Sequence, residues 1–149
     1  MALRISIVVS SFNEDLTNAL LLSAKETLLE NGCAIEEIVS VPGSFEIPYA
    51  CKLLALKTNP VDAIVALGAI LRGETDQNTH LAHTCIDSVQ KIQLETMIPI
   101  GLGIISAQTL QQAWERTRGE LNRGREAALA AIAMAHFKKS NQLSVISNQ

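Results

Sequence analysis

Apolar positions along the chain gather in short runs, separated by stretches of helical spacing. LRISIVVS (Leu3–Ser10) is rich in β-branched residues and predicts a strand. NEDLTNALLLSAKETLLENG follows with apolar residues three and four apart, Asn13 placed to cap the helix and Asn31-Gly32 to stop it. Ile35–Val41 predicts a second strand. PGSFEIPYACKLLALK reads as a turn and a helix, with Pro48 early enough that its missing N–H costs little. DAIVALGAI (Asp62–Ile70) is apolar nearly throughout, as a central parallel strand is. The pattern then predicts a helix over Thr75–Thr96 and a strand over Ile98–Ile105. AQTLQQAWERTR is a short helix with Thr109 near its start, and Gly119 to Gly124 is a break. GREAALAAIAMAHF is an alanine-rich last helix, and Lys138–Gln149 has little pattern and predicts a loose tail.

Strands alternate with helices through short connections, and no repeat or linker interrupts them. This predicts one α/β domain over residues 1–149: a flavodoxin-like three-layer sandwich with a four-stranded, mostly parallel sheet. Such sheets bind ligands beyond the carboxyl ends of their strands, at the switch point. The segments to inspect are therefore Ser10–Asn13, Val41–Glu46, Gly68–Gln77 and Leu102–Ser106.

Composition narrows the function classes. The chain has 149 residues, 48% of them hydrophobic, and a net charge of −3. That charge argues against a broad nucleic-acid surface, and one Trp, one Tyr and three Phe are too few for base-stacking platforms. No apolar run approaches the roughly 18 residues of a membrane span, and the first residues read as a strand rather than a signal peptide. The expected compartment is the cytoplasm. Cys33, Cys51 and Cys85 contain no C-x-x-C and read as reduced thiols, the latter two packed on helices.

Four places carry candidate chemistry. In Gly73-Glu74-Thr75 a strand runs through a glycine into a helix start, whose free N–H groups favour phosphate or carboxylate; an ordinary turn capped by Thr75 gives the same pattern. In VPGSFEIP, Ser44, Phe45 and Glu46 open a helix at the sheet's working edge beside Phe12, which either stacks on a planar ligand or plugs the edge. WERTRGELNRGR holds four arginines, a phosphate site or a solvated face with local ion pairs. His80 and His83 share a helix face with Asp87, but a metal needs three or four convergent ligands, and none is expected.

Taken together, SSFNEDL, VPGSFEIP, ALGAILRGET, QLETMIPIGLGIISAQTLQQAWERT and NRGREAALAAIAMA resemble the lumazine synthase (6,7-dimethyl-8-ribityllumazine synthase) family over Leu3 to Phe137. The resemblance implies a transferase of riboflavin biosynthesis. It joins 5-amino-6-ribitylaminouracil to 3,4-dihydroxy-2-butanone 4-phosphate without metal or organic cofactor, in a homopentamer or a multiple of pentamers. It implies that Phe12, Ser44, Phe45, Glu46, Ala69, Ile70, Leu71 and Leu102 bind the uracil substrate, Leu102 standing where the family's fourth-strand aromatic does. Glu74 and Thr75 are implied to cradle the phosphate. Arg116 would complete that site from a neighbouring subunit, with Arg123 where the family often has Lys.

The sequence departs from the family where protons move. The family's catalytic histidine is Gln77 here, and its aromatic and acidic followers are Asn78 and Thr79. Glutamine holds a phosphate or water but is neither acid nor base near pH 7. His80, three residues on, is a substitute or a plain surface histidine. The family's short N-terminal strand is largely missing, as is one residue near Gly119–Leu121. Two other readings stay open: a paralogue of this fold that binds a related ligand or assembles without this catalysis, and a flavodoxin-like nucleotide-binding module.

Overall fold

The computed structural model describes residues 1–73 and 75–147, with side chains through residue 142. The strands are β1 (Arg4–Ser10), β2 (Ala34–Val41), β3 (Ala63–Leu71) and β4 (Ile100–Ala107). The helices are α1 (Glu14–Glu30), α2 (Ile47–Ala55), α3 (Gln77–Thr96), α4 (Leu110–Glu115) and α5 (Arg123–Ser147), with 3₁₀ turns at Ser44–Glu46 and Gly119–Leu121. The strands pair in the order β2-β1-β3-β4, every pair parallel. The sheet is thus wholly parallel, and the chain turns back across it between β1 and β3, which makes their carboxyl ends the switch point.

Strand alternation divides the core in two. Ile5, Ile7 and Val9 of β1 face one side, where they pack with Leu20 and Leu28 of α1 and Ala127, Ala128 and Ala131 of α5. Val8 faces the other side, with Cys51 of α2 and Cys85, Val89 and Ile92 of α3. All three cysteines are buried and free, and Cys51 and Cys85 lie on helices as expected. The α5 layer docks almost backbone to backbone. A Cβ on Gly101 would come within 2.0 Å of the Ala127 carbonyl oxygen, and one on Gly124 within 2.4 Å of the Leu20 carbonyl oxygen. Alanines along α5 therefore shorten the distance between layers as well as favouring the helix.

Several boundaries move from the sequence expectation. Helix α3 starts at Gln77, two residues later than Thr75, after Gly73 turns the chain at φ +56. Strand β4 starts at Ile100 and α4 ends at Glu115. Thr109 caps α4 in a capping box with Gln112, and Asn31 and Gly32 end α1, as the pattern predicts. The largest correction is at the C-terminal end. Helix α5 continues to Ser147 where the fading pattern predicts a loose tail from Lys138. No Gly or Pro follows Gly124 to stop it, and Lys139 Nζ lies 3.3 Å from Asp62 Oδ1 beside the start of β3. Among the described residues no helix is long and apolar enough to cross a membrane.

Candidate active site

The loops after the first three strands meet at one edge of the sheet. Beyond β1, the Ser11 N–H donates to the Val41 carbonyl at 2.8 Å and the Phe12 N–H to the Pro42 carbonyl at 3.0 Å. These bonds hold Phe12 at the rim, where it is 69% exposed. Asn13 occupies the N-cap position of α1 but makes no side-chain cap bond. Its Nδ2 donates instead to the Ala69 carbonyl of β3 at 3.0 Å, from a left-handed backbone at φ 60. Asparagine tolerates that region better than most residues. The expected cap is thus a tie, and the loop after β1 is bound to both neighbouring strands.

The Pro42-Gly43 turn after β2 leads into the 3₁₀ turn of Ser44–Glu46. Ser44 is buried, while Phe45 and Glu46 are exposed at the rim beside Phe12. Cys85 Sγ of α3 lies 3.4 Å from the Ser44 carbonyl, to which it donates. Burial first, and the Glu46 charge second, push the Cys85 thiol up, so it keeps the proton this bond uses.

Ala69 and Ile70 are buried, so their side chains belong to the core and what they offer a ligand is backbone. Leu71 is half-buried, and its carbonyl accepts from Asn78 Nδ2 at 2.5 Å. That bond closes the turn between β3 and α3. The Arg72 N–H donates to the Ala107 carbonyl at 2.7 Å, which fixes the turn's other flank. Thr75 and Gln77 are exposed, Gln77 as the first residue of α3. The helix's free N–H groups point out here, as an anion seat requires. Glu74 lies outside the described residues. His80 is exposed one turn along, its N–H donating to the Asp76 carbonyl.

Three expected residues stand apart from this cluster. Arg116 and Arg123 follow β4 at the junction of α4 and α5, joined by a bond from the Arg123 N–H to the Arg116 carbonyl at 2.8 Å. The Arg116 guanidinium donates to the Gln112 carbonyl at 3.1 Å, and Arg123 pairs with Glu126 at 2.6 Å. Leu102 pairs in register with Ala66, three steps back from the Ile105–Ala69 pair, and is 41% exposed on the edge strand. A hollow of about 750 Å³ lies elsewhere again, near the sheet's amino edge between the end of α3 and α5, and no candidate residue lines it. We take the carboxyl edge as the site because the convergent polar groups are there; volume without them is a poor guide.

Sequence reasoning missed the ties that build the edge. Asn13, Asn78 and Cys85 each bond across elements, and nothing local in the sequence signals their partners. Compared with known protein families, residues 2–139 match the family model described as 6,7-dimethyl-8-ribityllumazine synthase.

Proposed function

We propose that this chain, which belongs to the 6,7-dimethyl-8-ribityllumazine synthase family, condenses 5-amino-6-ribitylaminouracil with 3,4-dihydroxy-2-butanone 4-phosphate. The observation that carries this reading is the family match over residues 2–139, with three strand-end loops tied together at one edge in support. The amine of the uracil adds to the ketone carbonyl and a first water is lost as the imine forms; phosphate is then eliminated, and the second nitrogen closes the ring on the carbonyl so generated, with loss of a second water. Phe12 and Phe45 offer faces for a planar ring. Ser44, Glu46 and the backbone of Ala69 to Leu71 offer polar partners for the ring and its hydroxylated chain. Thr75, Glu74 and the start of α3 seat the phosphate. Arg116 and Arg123, which stand beyond β4, serve a neighbouring subunit's phosphate, and Leu102 meets that neighbour's ring.

Gln77 does not exchange protons near pH 7. It holds phosphate or water while the substrate phosphate or solvent carries the proton. General acid–base help is worth about 10²–10⁴ in rate, so its loss slows the reaction. Holding two reactants together still removes much of the barrier. Gln77 also favours a second reading, a paralogue that binds a related ligand without turnover. Complementation of a riboflavin auxotroph lacking this step, with turnover measured on the two substrates, separates them. Growth and turnover support the synthase; binding without turnover supports the paralogue.

A further inference from the structure

The carboxyl end of β1 buries a hydroxyl without a partner. Ser10 is 1% exposed, and its Oγ makes no hydrogen bond among the described residues. Taking a hydroxyl out of water without a partner opposes folding, so a native example calls for a reason. Ser6 Oγ shares the condition, but it lines a hollow of about 60 Å³ with Arg4 and Glu36, away from the site. Ser10 sits under the site itself.

Its neighbours are set by register. Val9 pairs with Leu67, so one further step along both strands brings Ser10 beside Gly68, both facing the α2/α3 layer. The point where a Cβ on Gly68 would stand is 3.3 Å from Ser10 Oγ and 2.7 Å from Ser44 Oγ. Ile47 Cδ1, at 2.9 Å, closes the remaining side. Two hydroxyls from different elements therefore close on one bare stretch of backbone. The Ser44 carbonyl is already held by Cys85 Sγ, which leaves its side chain as the part still free to be aimed.

We propose that Ser10 is a positioning residue that acts through Ser44, an inference that rests on the function proposed above. When the uracil substrate binds, Ser10 rotates to another staggered position and donates to Ser44 Oγ. Ser44 then spends its own O–H on an acceptor oxygen of that substrate, a ring carbonyl or a hydroxyl of the ribityl chain. A hydroxyl has one O–H to donate and lone pairs with which to accept, so Ser44 can accept from Ser10 and still donate to the substrate. Linked hydrogen bonds also polarise one another, which strengthens the outer one.

Equilibrium titration with 5-amino-6-ribitylaminouracil under anaerobic conditions tests this without needing turnover. Ser10→Ala weakens that binding by about fivefold, the worth of one neutral hydrogen bond, and leaves inorganic phosphate binding unchanged. Its thermal midpoint stays level or rises, because the deleted hydroxyl had no partner in the unliganded protein. In a Ser44→Ala background, Ser10→Ala has no further effect. Wild-type affinity in Ser10→Ala overturns the proposal, as does an equal loss in the Ser44→Ala background. A weakened affinity accompanied by a fall in thermal midpoint assigns Ser10 to structure and also overturns it. If the unaltered protein itself does not bind the uracil, the proposed function fails and this inference falls with it, a result distinct from the other three.

Discussion

Gln77 opens α3 as an exposed residue beside the turn that would seat a phosphate, whereas His80 lies a full turn further along. Helical side chains lean toward the N-terminus, but position 77 needs no such reach. Gln77→His should therefore raise turnover by about tenfold or more and introduce a pH dependence near the imidazole pKa of roughly 6.5. His80→Ala should leave turnover within about twofold; a tenfold loss would assign the proton to His80 instead. Steady-state rates between pH 5.5 and 8.5 distinguish these outcomes. Cys51 carries a different pH signature. Burial pushes its thiol from 9.0 up to about 12. Above pH 9 the unfolded chain gives up this proton while the folded chain keeps it. Stability is therefore complete below pH 9 and falls as pH rises toward 12, by at most about 4 kcal/mol from this group. Urea unfolding of the parent and of Cys51→Ala from pH 8 to 11 should show a shallower decline in the variant.

At the scale of elements, α5 is held by closeness rather than by large side chains. Gly101→Ala must push α5 off the sheet or bend β4, since its methyl would meet the Ala127 carbonyl at 2.0 Å. The expected loss is about 3 kcal/mol, measured as a lower urea midpoint, against 1–3 kcal/mol for ordinary overpacking. The sequence showed that a helix lies here, since the alanines and the β-branched strands are local signals. It did not show how near the helix comes to the sheet, because that depends on which glycine faces which carbonyl. The same limit explains the site. VPGSFEIP and GAILRGET were legible because a turn, a glycine and a helix start are adjacent in sequence. Asn13 bonded to Ala69 and Cys85 bonded to Ser44 were not, because both are chosen by the fold over separations that no local pattern records. Asn13 even carried a misleading signal, since an asparagine before a helix ordinarily caps it.

For the whole molecule, the cluster on the β1–β3 loops and the arginines beyond β4 are two parts of one proposed phosphate site, supplied by different subunits. Sedimentation at micromolar protein should give a pentamer or a multiple of it, and a stable monomer would refute this arrangement. Arg116→Ala should raise the KM for the ketone phosphate far more than that for the uracil, because a charge-assisted bond to phosphate outweighs a neutral one. Equal losses would give Arg116 a structural part. The glycine and alanine seam under α5 has one more consequence. It contains no charge, and ion pairs such as Lys52–Glu95 and Arg123–Glu126 lie at the surface and contribute little. Ionic strength therefore has little in this seam to screen, but much to screen at the proposed contact between a phosphate dianion and two arginines. On the proposed arrangement the two responses separate: a concentrated electrolyte should leave the chain folded while it loosens the grip on the phosphate substrate.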